Sequence, residues 1–159
     1  MRLLARITGG APVVVSGNIA AGAVTVDKLT VIPVVHGENT TPTALTTGTP
    51  TMLTINTPTA GRYLVHLSVA MSAVDSSTGD NGQELQAYVL DGSGQVGPTL
   101  KCNVHTFSPS QNQTYILNFT YNVVQTASEP LSVIARKAGG SGNSQFLWTY
   151  IDAEWVAAS

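Results

Sequence analysis

The strongest structural signal in the chain is the stretch AGRYLVHLSVAMSA at residues 60–73, where large apolar residues occupy alternate positions. The apolar set consists of Tyr63, Val65, Leu67, Val69 and Met71, and the set between them includes Arg62, His66, Ser68 and Ser72. Side chains of a β-strand point alternately to its two faces, so this pattern predicts a long strand with one face in a core. The other face is expected to meet solvent or a second subunit.

Other segments with the same alternation supply neighbours for this strand. Residues 114–124 form a second long alternating stretch, and residues 52–56, 84–90 and 131–137 form shorter ones. Gly, Asn, Asp, Ser and Pro separate these stretches and indicate turns. Because no helical period of useful length is present, we predict an all-β fold, an antiparallel β-sandwich. About eight to ten strands of this kind favour a jelly roll.

The last predicted strand covers residues 145–156 and carries large side chains on both faces. Strict alternation places Phe146, Trp148 and Tyr150 on one side and Leu147, Thr149 and Ile151 on the other. Such a strand is expected in the middle of a sheet, with one face on the core and the other against something outside it.

The composition excludes several classes of function. Charged residues make up 10% of the 159 residues and the formal net charge is −2. No basic patch is therefore available to neutralise phosphates, and nucleic acid is not an expected partner. No apolar run has the length of a membrane span or of a secretory signal, so we expect synthesis in the cytoplasm without a signal peptide, and no membrane partner. Cys102 is the single cysteine, which excludes an intrachain disulfide framework.

Residues 1–31 are predicted to be an N-terminal arm, and residues 32–159 a jelly-roll head. The arm is rich in aliphatic residues, and its charged residues are Arg2, Arg6, Asp27 and Lys28. Its candidate attachment residues are Leu3, Leu4, Ile7, Val13, Val14, Val15, Ile19, Val24, Val26 and Leu29. A frayed terminus is one interpretation. Since exposing this many apolar groups to water is unfavourable, we favour docking onto a neighbouring subunit or another partner.

Candidate catalytic and metal-binding residues form no recognisable motif. His36, His66 and His105 have no metal-type spacing with one another or with Cys102. Cys102 and His105 would point to opposite faces of a strand. The acids at residues 75–80 are interpreted as hydrated loop residues, with calcium binding as the alternative, and three copies of His66 around a threefold axis are an alternative ion site. We predict no catalytic site, no metal and no cofactor.

Two sequence resemblances add to this interpretation. The segment GNIAAGAVTVDKLTV at residues 17–31 resembles segments that recur in phage fibres and other virion-attached proteins. The run TINTPTAGRYLVHLSV at residues 54–69 resembles the signature of tumour necrosis factor (TNF) and complement C1q heads. The segments NQTYILNFTYNVV, LSVIARK and FLWTYIDAEWVAA resemble the last three strands of those heads.

The TNF and C1q resemblance implies a homotrimer. Apolar or aromatic groups opposite the presumed core independently favour association, because a monomer would expose them to water as one patch. The predicted trimer-interface residues are Leu64, His66, Tyr88, Leu90, Ile116, Trp148 and Tyr150.

The combined prediction is a structural virion protein of a tailed bacteriophage. We expect a trimeric capsid decoration (cement) protein or short head fibre on the capsid exterior, attached to the major capsid protein through residues 1–31. The alternative is a tail-fibre-type receptor-binding module that recognises host-surface glycans through loops on a rigid scaffold. A small enzyme is a third hypothesis, which would need a cleft lined by acids, His or Cys102.

Overall fold

The computed structural model describes residues 34–74, 83–104, 112–140 and 142–157. These residues form nine strands and, within the described ranges, no helix. The strands are β1 (Val34–Asn39), β2 (Thr43–Ala44), β3 (Thr51–Asn56), β4 (Gly61–Val74), β5 (Gln83–Asp91), β6 (Gly94–Val104), β7 (Asn112–Gln125), β8 (Pro130–Gly139) and β9 (Asn143–Ala157). The chain divides after Val31 into two units, and all described residues belong to the second. The predicted arm lies outside the described residues.

The strands pair antiparallel in two sheets. The first sheet has the order β1-β9-β4-β7, with β2 also on β9, and the second has the order β3-β8-β5-β6. The pairs β1–β9, β3–β8, β4–β7 and β5–β6 nest inside one another along the chain, as in a long hairpin wrapped into two layers. This nested pairing defines a jelly roll and confirms the predicted fold class.

The core lies between the sheets and is built from alternate residues of each strand. Tyr63, Val65, Leu67, Val69 and Met71 of β4 are at most 2% exposed, which confirms the alternation predicted for this strand. Leu85, Ala87 and Val89 of β5 face them from the second sheet and are fully buried. The long strand β4 pairs with both β7 and β9, so it lies inside the first sheet.

The last strand departs from strict alternation. Along β4, Ala70 pairs with Trp148 but the next residue, Met71, pairs with Phe146. Leu147 is therefore the extra residue of a β-bulge, which reverses the phase of the side chains. Phe146 is fully buried in the core on the same side as Thr149 and Ile151. The prediction that Phe146 shares a face with Trp148 and Tyr150 is wrong, while the central position of the strand is confirmed, since β9 lies between β1 and β4.

In the described part of the chain, no helix has the length and apolar character needed to cross a membrane.

Candidate functional site

The side of the first sheet that points away from the core, called here the outer face, carries the most distinctive set of side chains. Antiparallel pairing aligns residues of adjacent strands into rungs that cross the sheet. One rung runs from His36 of β1 through Asp152 of β9 and His66 of β4 to Thr120 of β7. All four side chains therefore come from distant parts of the sequence and lie in a single row.

Hydrogen bonds connect the residues of this rung in two pairs. His36 Nδ1 lies 2.7 Å from Asp152 Oδ1, and the two side chains are 55% and 45% exposed. His66 Nδ1 lies 2.8 Å from Thr120 Oγ1. Asp152 thus has a histidine on each neighbouring strand, and only His36 contacts its carboxylate directly.

The next rung contains Glu38, Tyr150, Ser68 and Asn118. Ser68 Oγ donates a hydrogen bond to Asn118 Oδ1. Between the two rungs lies a depression of about 380 Å³, lined by His66, Ser68, Asn118, Thr120, Tyr150 and Asp152 among others. Its hydroxyl, amide, imidazole and carboxylate groups give this part of the outer face many hydrogen-bonding positions.

Apolar side chains border the polar rungs. Within the described residues, the large hydrophobic side chains classed as exposed are Val34 (59%), Ile116 (55%), Val124 (56%), Tyr150 (37%) and Val156 (55%). The first four project from the outer face, and Val156 is the extra residue of a second bulge in β9. Trp148 packs beside Tyr150, with ring centroids 5.1 Å apart. The outer face therefore has polar side chains at its centre and exposed hydrophobic side chains around them. This combination is typical of a surface that another molecule covers.

The edge where the two sheets end, at β6 and β7, is also incompletely covered. The core-facing residues of β7 at this edge are Tyr115, Leu117, Phe119 and Tyr121, and each is half-buried although it points inward. The rings of Phe119 and Tyr121 stack, with centroids 4.6 Å apart. We call these four residues the β7 edge. They pack on the core, and their exposed parts add apolar surface at this edge, separate from the outer face.

The predicted interface residues lie on two surfaces instead of one patch. Leu64, His66, Ile116, Trp148 and Tyr150 lie on the outer face, whereas Tyr88 and Leu90 belong to β5 of the second sheet. Tyr88 is 7% exposed, and the Arg136 guanidinium lies 5.7 Å from its ring centre. The prediction of a single patch is wrong because β5 pairs with β6 and β8, so its outward residues point away from β4.

Sequence reasoning missed two contributors to these surfaces. Val34 and Val124 were not singled out, although Val124 continues the alternation of Asn122 and Thr120 along β7. The partial exposure of the β7 edge is not predictable from the alternation of residues 114–124, since that pattern does not reveal that β7 ends its sheet.

The described residues offer little chemistry elsewhere. Among them, no group of three or more His, Cys, Asp or Glu residues is placed to hold a metal ion. Cys102 is half-buried and faces the core, and burial raises the pKa of its thiol, which disfavours the nucleophilic thiolate. His105 and residues 75–80 lie outside the described residues.

Comparison with known proteins finds similarity only among solved structures. No family model and no curated protein matches the sequence. Among solved structures, the Eiger TNF of S. frugiperda is 14% identical, with 80% of this chain and 94% of that chain covered and a TM-score of 0.47. The globular domain of zebrafish complement 1qA is 5% identical, with 80% and 99% covered and a TM-score of 0.48. The CBM22-1 xylan-binding domain of Paenibacillus barcinonensis Xyn10C is 14% identical, with 77% and 87% covered and a TM-score of 0.35. The strand pairing establishes the jelly roll by itself, and these likenesses extend no further than the fold.

Proposed function

We propose that this protein is a structural protein that assembles as a homotrimer through its outer face and attaches to a larger particle through residues 1–31. The observation that carries the assembly is that exposed Val34, Ile116, Val124 and Tyr150 all project from one face of the first sheet, around its polar rungs. Isolated exposed hydrophobic residues are ordinary, but four large ones on the same face of one sheet favour an interface there.

The outer face and the β7 edge suit a closed ring of subunits. In a ring with threefold or higher rotational symmetry, each contact is between two different surfaces. Every subunit therefore needs one surface for the copy before it and another for the copy after it. The outer face and the β7 edge are two such surfaces on one chain. In the proposed ring, the β7 edge of each copy covers the outer face of the next. The number three comes from the sequence resemblance to TNF and C1q heads.

The proposed larger particle is the capsid of a tailed bacteriophage, on whose exterior the trimer acts as a decoration protein or short head fibre. Support for this finer proposal comes from the resemblance of residues 17–31 to virion-attached proteins. The aliphatic residues of the arm, including Val24, Val26 and Leu29, provide apolar surface for the major capsid protein.

A second candidate function is recognition of host-surface glycans. It is favoured by the depression beside Tyr150, where an aromatic ring adjoins the hydroxyl and amide groups of Ser68, Asn118 and Thr120. Sugar binding typically needs such a combination of an aromatic surface and polar groups. This function requires the outer face to be free, so the two candidates differ in whether that face is covered.

The oligomeric state tests the assembly. We expect light scattering on the purified full chain at micromolar concentration to give three times the mass of the chain. Substituting both Ile116→Glu and Val124→Glu places charges in the apolar margin and should weaken association at least about 30-fold. Asn56→Glu is the matched control, because Asn56 is exposed on the second sheet. A monomeric full chain, or a trimer indifferent to the double substitution, contradicts the proposed interface.

Capsid binding tests the attachment. Sedimentation of the full chain with purified empty heads of tailed bacteriophages should show binding. The Val24→Asp, Val26→Asp variant should remain a trimer and lose that binding. Binding to a glycan array without any affinity for capsids supports the second candidate and contradicts the first.

A further inference from the structure

We propose that trimer assembly is coupled to proton uptake at His36 and His66, so that the trimer becomes tighter as the pH falls from neutral to mildly acidic. This inference rests on the proposed trimer and concerns the regulation of the same outer face. The rung of His36, Asp152, His66 and Thr120 carries it.

The outer face has more carboxylates than permanent cations. Asp152 and Glu154 project from β9, Glu38 projects from β1, and Arg62 of β4 is the permanent cation facing them. The described residues of β7 and β2 add no charged group to this face, since β7 contributes Thr, Ile, Asn and Val there. Tyr150, a phenol, is the remaining titratable group among the described residues of this face. With neutral imidazoles, these described residues therefore carry two more negative charges than positive ones.

The surface proposed to cover this face cannot balance that charge. The β7 edge consists of Tyr115, Leu117, Phe119 and Tyr121, which carry no charge at neutral pH. Covering carboxylates that lack a compensating positive charge with apolar groups is unfavourable, because the charges lose hydration without gaining an opposite charge. The missing positive charges must come from the outer face itself or assembly remains weak.

The two histidines are placed to supply the missing charges. His36 Nδ1 already lies 2.7 Å from Asp152 Oδ1, a distance suited to a charge-assisted hydrogen bond once the imidazole is protonated. His66 stands on the opposite side of Asp152, on β4. Two imidazolium groups with Arg62 match the three carboxylates in number. Histidine is the side chain whose charge changes at mildly acidic pH, while carboxylates remain ionised there.

The decisive experiment measures the trimer dissociation constant of the full chain by analytical ultracentrifugation at about pH 8 and about pH 6. We expect it to fall by at least about tenfold at the lower pH. A trimer of equal or greater strength at the higher pH overturns this inference and leaves the trimer itself standing. A monomer at both values instead overturns the proposed function. The experiment therefore distinguishes failure of the pH coupling from failure of the proposed trimer.

Two variants show whether the rung is responsible. His36→Gln with His66→Gln removes both imidazoles, and the dissociation constant should become independent of pH over this range. Asp152→Asn removes one carboxylate and should strengthen the trimer at about pH 8, because less uncompensated charge is covered. Since these side chains are exposed or half-buried in the single chain, the fold is expected to survive, which thermal unfolding monitored by circular dichroism checks. Retention of the full pH dependence in the double histidine variant overturns the inference.

Discussion

The ring of Tyr121 packs against the backbone of Gly97 so closely that a β-carbon at the glycine would lie 2.4 Å from Tyr121 Cε2. Gly97 also has a φ of 75°, a left-handed conformation that glycine adopts at little cost. Gly97 belongs to β6 and Tyr121 to β7, so this contact joins the two sheets at the β7 edge. The geometry of a proposed subunit surface thus depends on the absence of a side chain on the opposite strand.

Gly97→Ala is expected to lower the free energy of unfolding by about 2–4 kcal/mol, because it combines a strained backbone with a steric clash against the Tyr121 ring. Gly139→Ala is the control, since nothing lies within 4 Å of a β-carbon there. The control should change the free energy by less than about 0.5 kcal/mol. Urea unfolding at one fixed protein concentration measures both, and equal effects of the two substitutions contradict the packing argument.

Two tyrosines should respond oppositely to loss of their hydroxyl groups. Tyr63 donates a hydrogen bond of 2.7 Å to the Thr59 carbonyl, whereas the buried Tyr121 hydroxyl has no partner among the described residues. Tyr63→Phe should lower the free energy of unfolding by about 1 kcal/mol. Tyr121→Phe should leave it unchanged or raise it by up to about 1 kcal/mol, because an unsatisfied buried polar group is removed. A loss for Tyr121→Phe as large as for Tyr63→Phe would show that its hydroxyl is hydrogen-bonded.

Stability should fall at alkaline pH because of Tyr121. Burial, and to a lesser degree the charge of Asp91, raise the pKa of the Tyr121 phenol well above its ordinary value. The folded chain therefore keeps a proton that the unfolded chain releases above about pH 10. Below that pH the ionisation of Tyr121 does not affect the free energy of unfolding. Above it, the free energy of unfolding falls as the pH rises. Urea midpoints between about pH 9 and pH 11 should fall less steeply in Tyr121→Phe, and identical slopes contradict the assignment.

Thr57 and Gln125 form a buried polar contact near the turn that leads into β8. The Thr57 hydroxyl lies 2.6 Å from Gln125 Oε1 and 2.7 Å from the Glu129 carbonyl oxygen. Thr57 and Gln125 are each 1% exposed. Thr57→Val should lower the free energy of unfolding by about 1–3 kcal/mol, because it leaves the buried Gln125 Oε1 unsatisfied, while the Glu129 carbonyl keeps its hydrogen bond from Gln125 Nε2. Thr54→Val is the matched control, since its 3.0 Å contact with Ser132 is exposed, and its effect should stay below about 0.5 kcal/mol. Similar decreases in the free energy of unfolding for the two variants would contradict the argument that burial makes the Thr57 hydrogen bond more important.

The sequence predicted the parts of the fold that depend on local alternation. The residues of β4 from Tyr63 to Met71 follow the period of a strand without interruption, so their inward faces were identified correctly. In β9 the same reasoning is wrong for Phe146, because the bulge at Leu147 shifts the phase. Nothing in the local pattern announces that bulge, which arises from the register with β4.

The sequence alone determined that this chain is an all-β sandwich, because periodicity and turn residues act over a few neighbouring positions. Which outward residues share a surface follows from how the strands are arranged in three dimensions. His36 and Asp152 are 116 positions apart in the sequence and in contact in the fold. Leu64 and Tyr88 are much closer in the sequence but lie in different sheets. Strand order and register are set by nonlocal backbone pairing, which alternation along one strand does not encode.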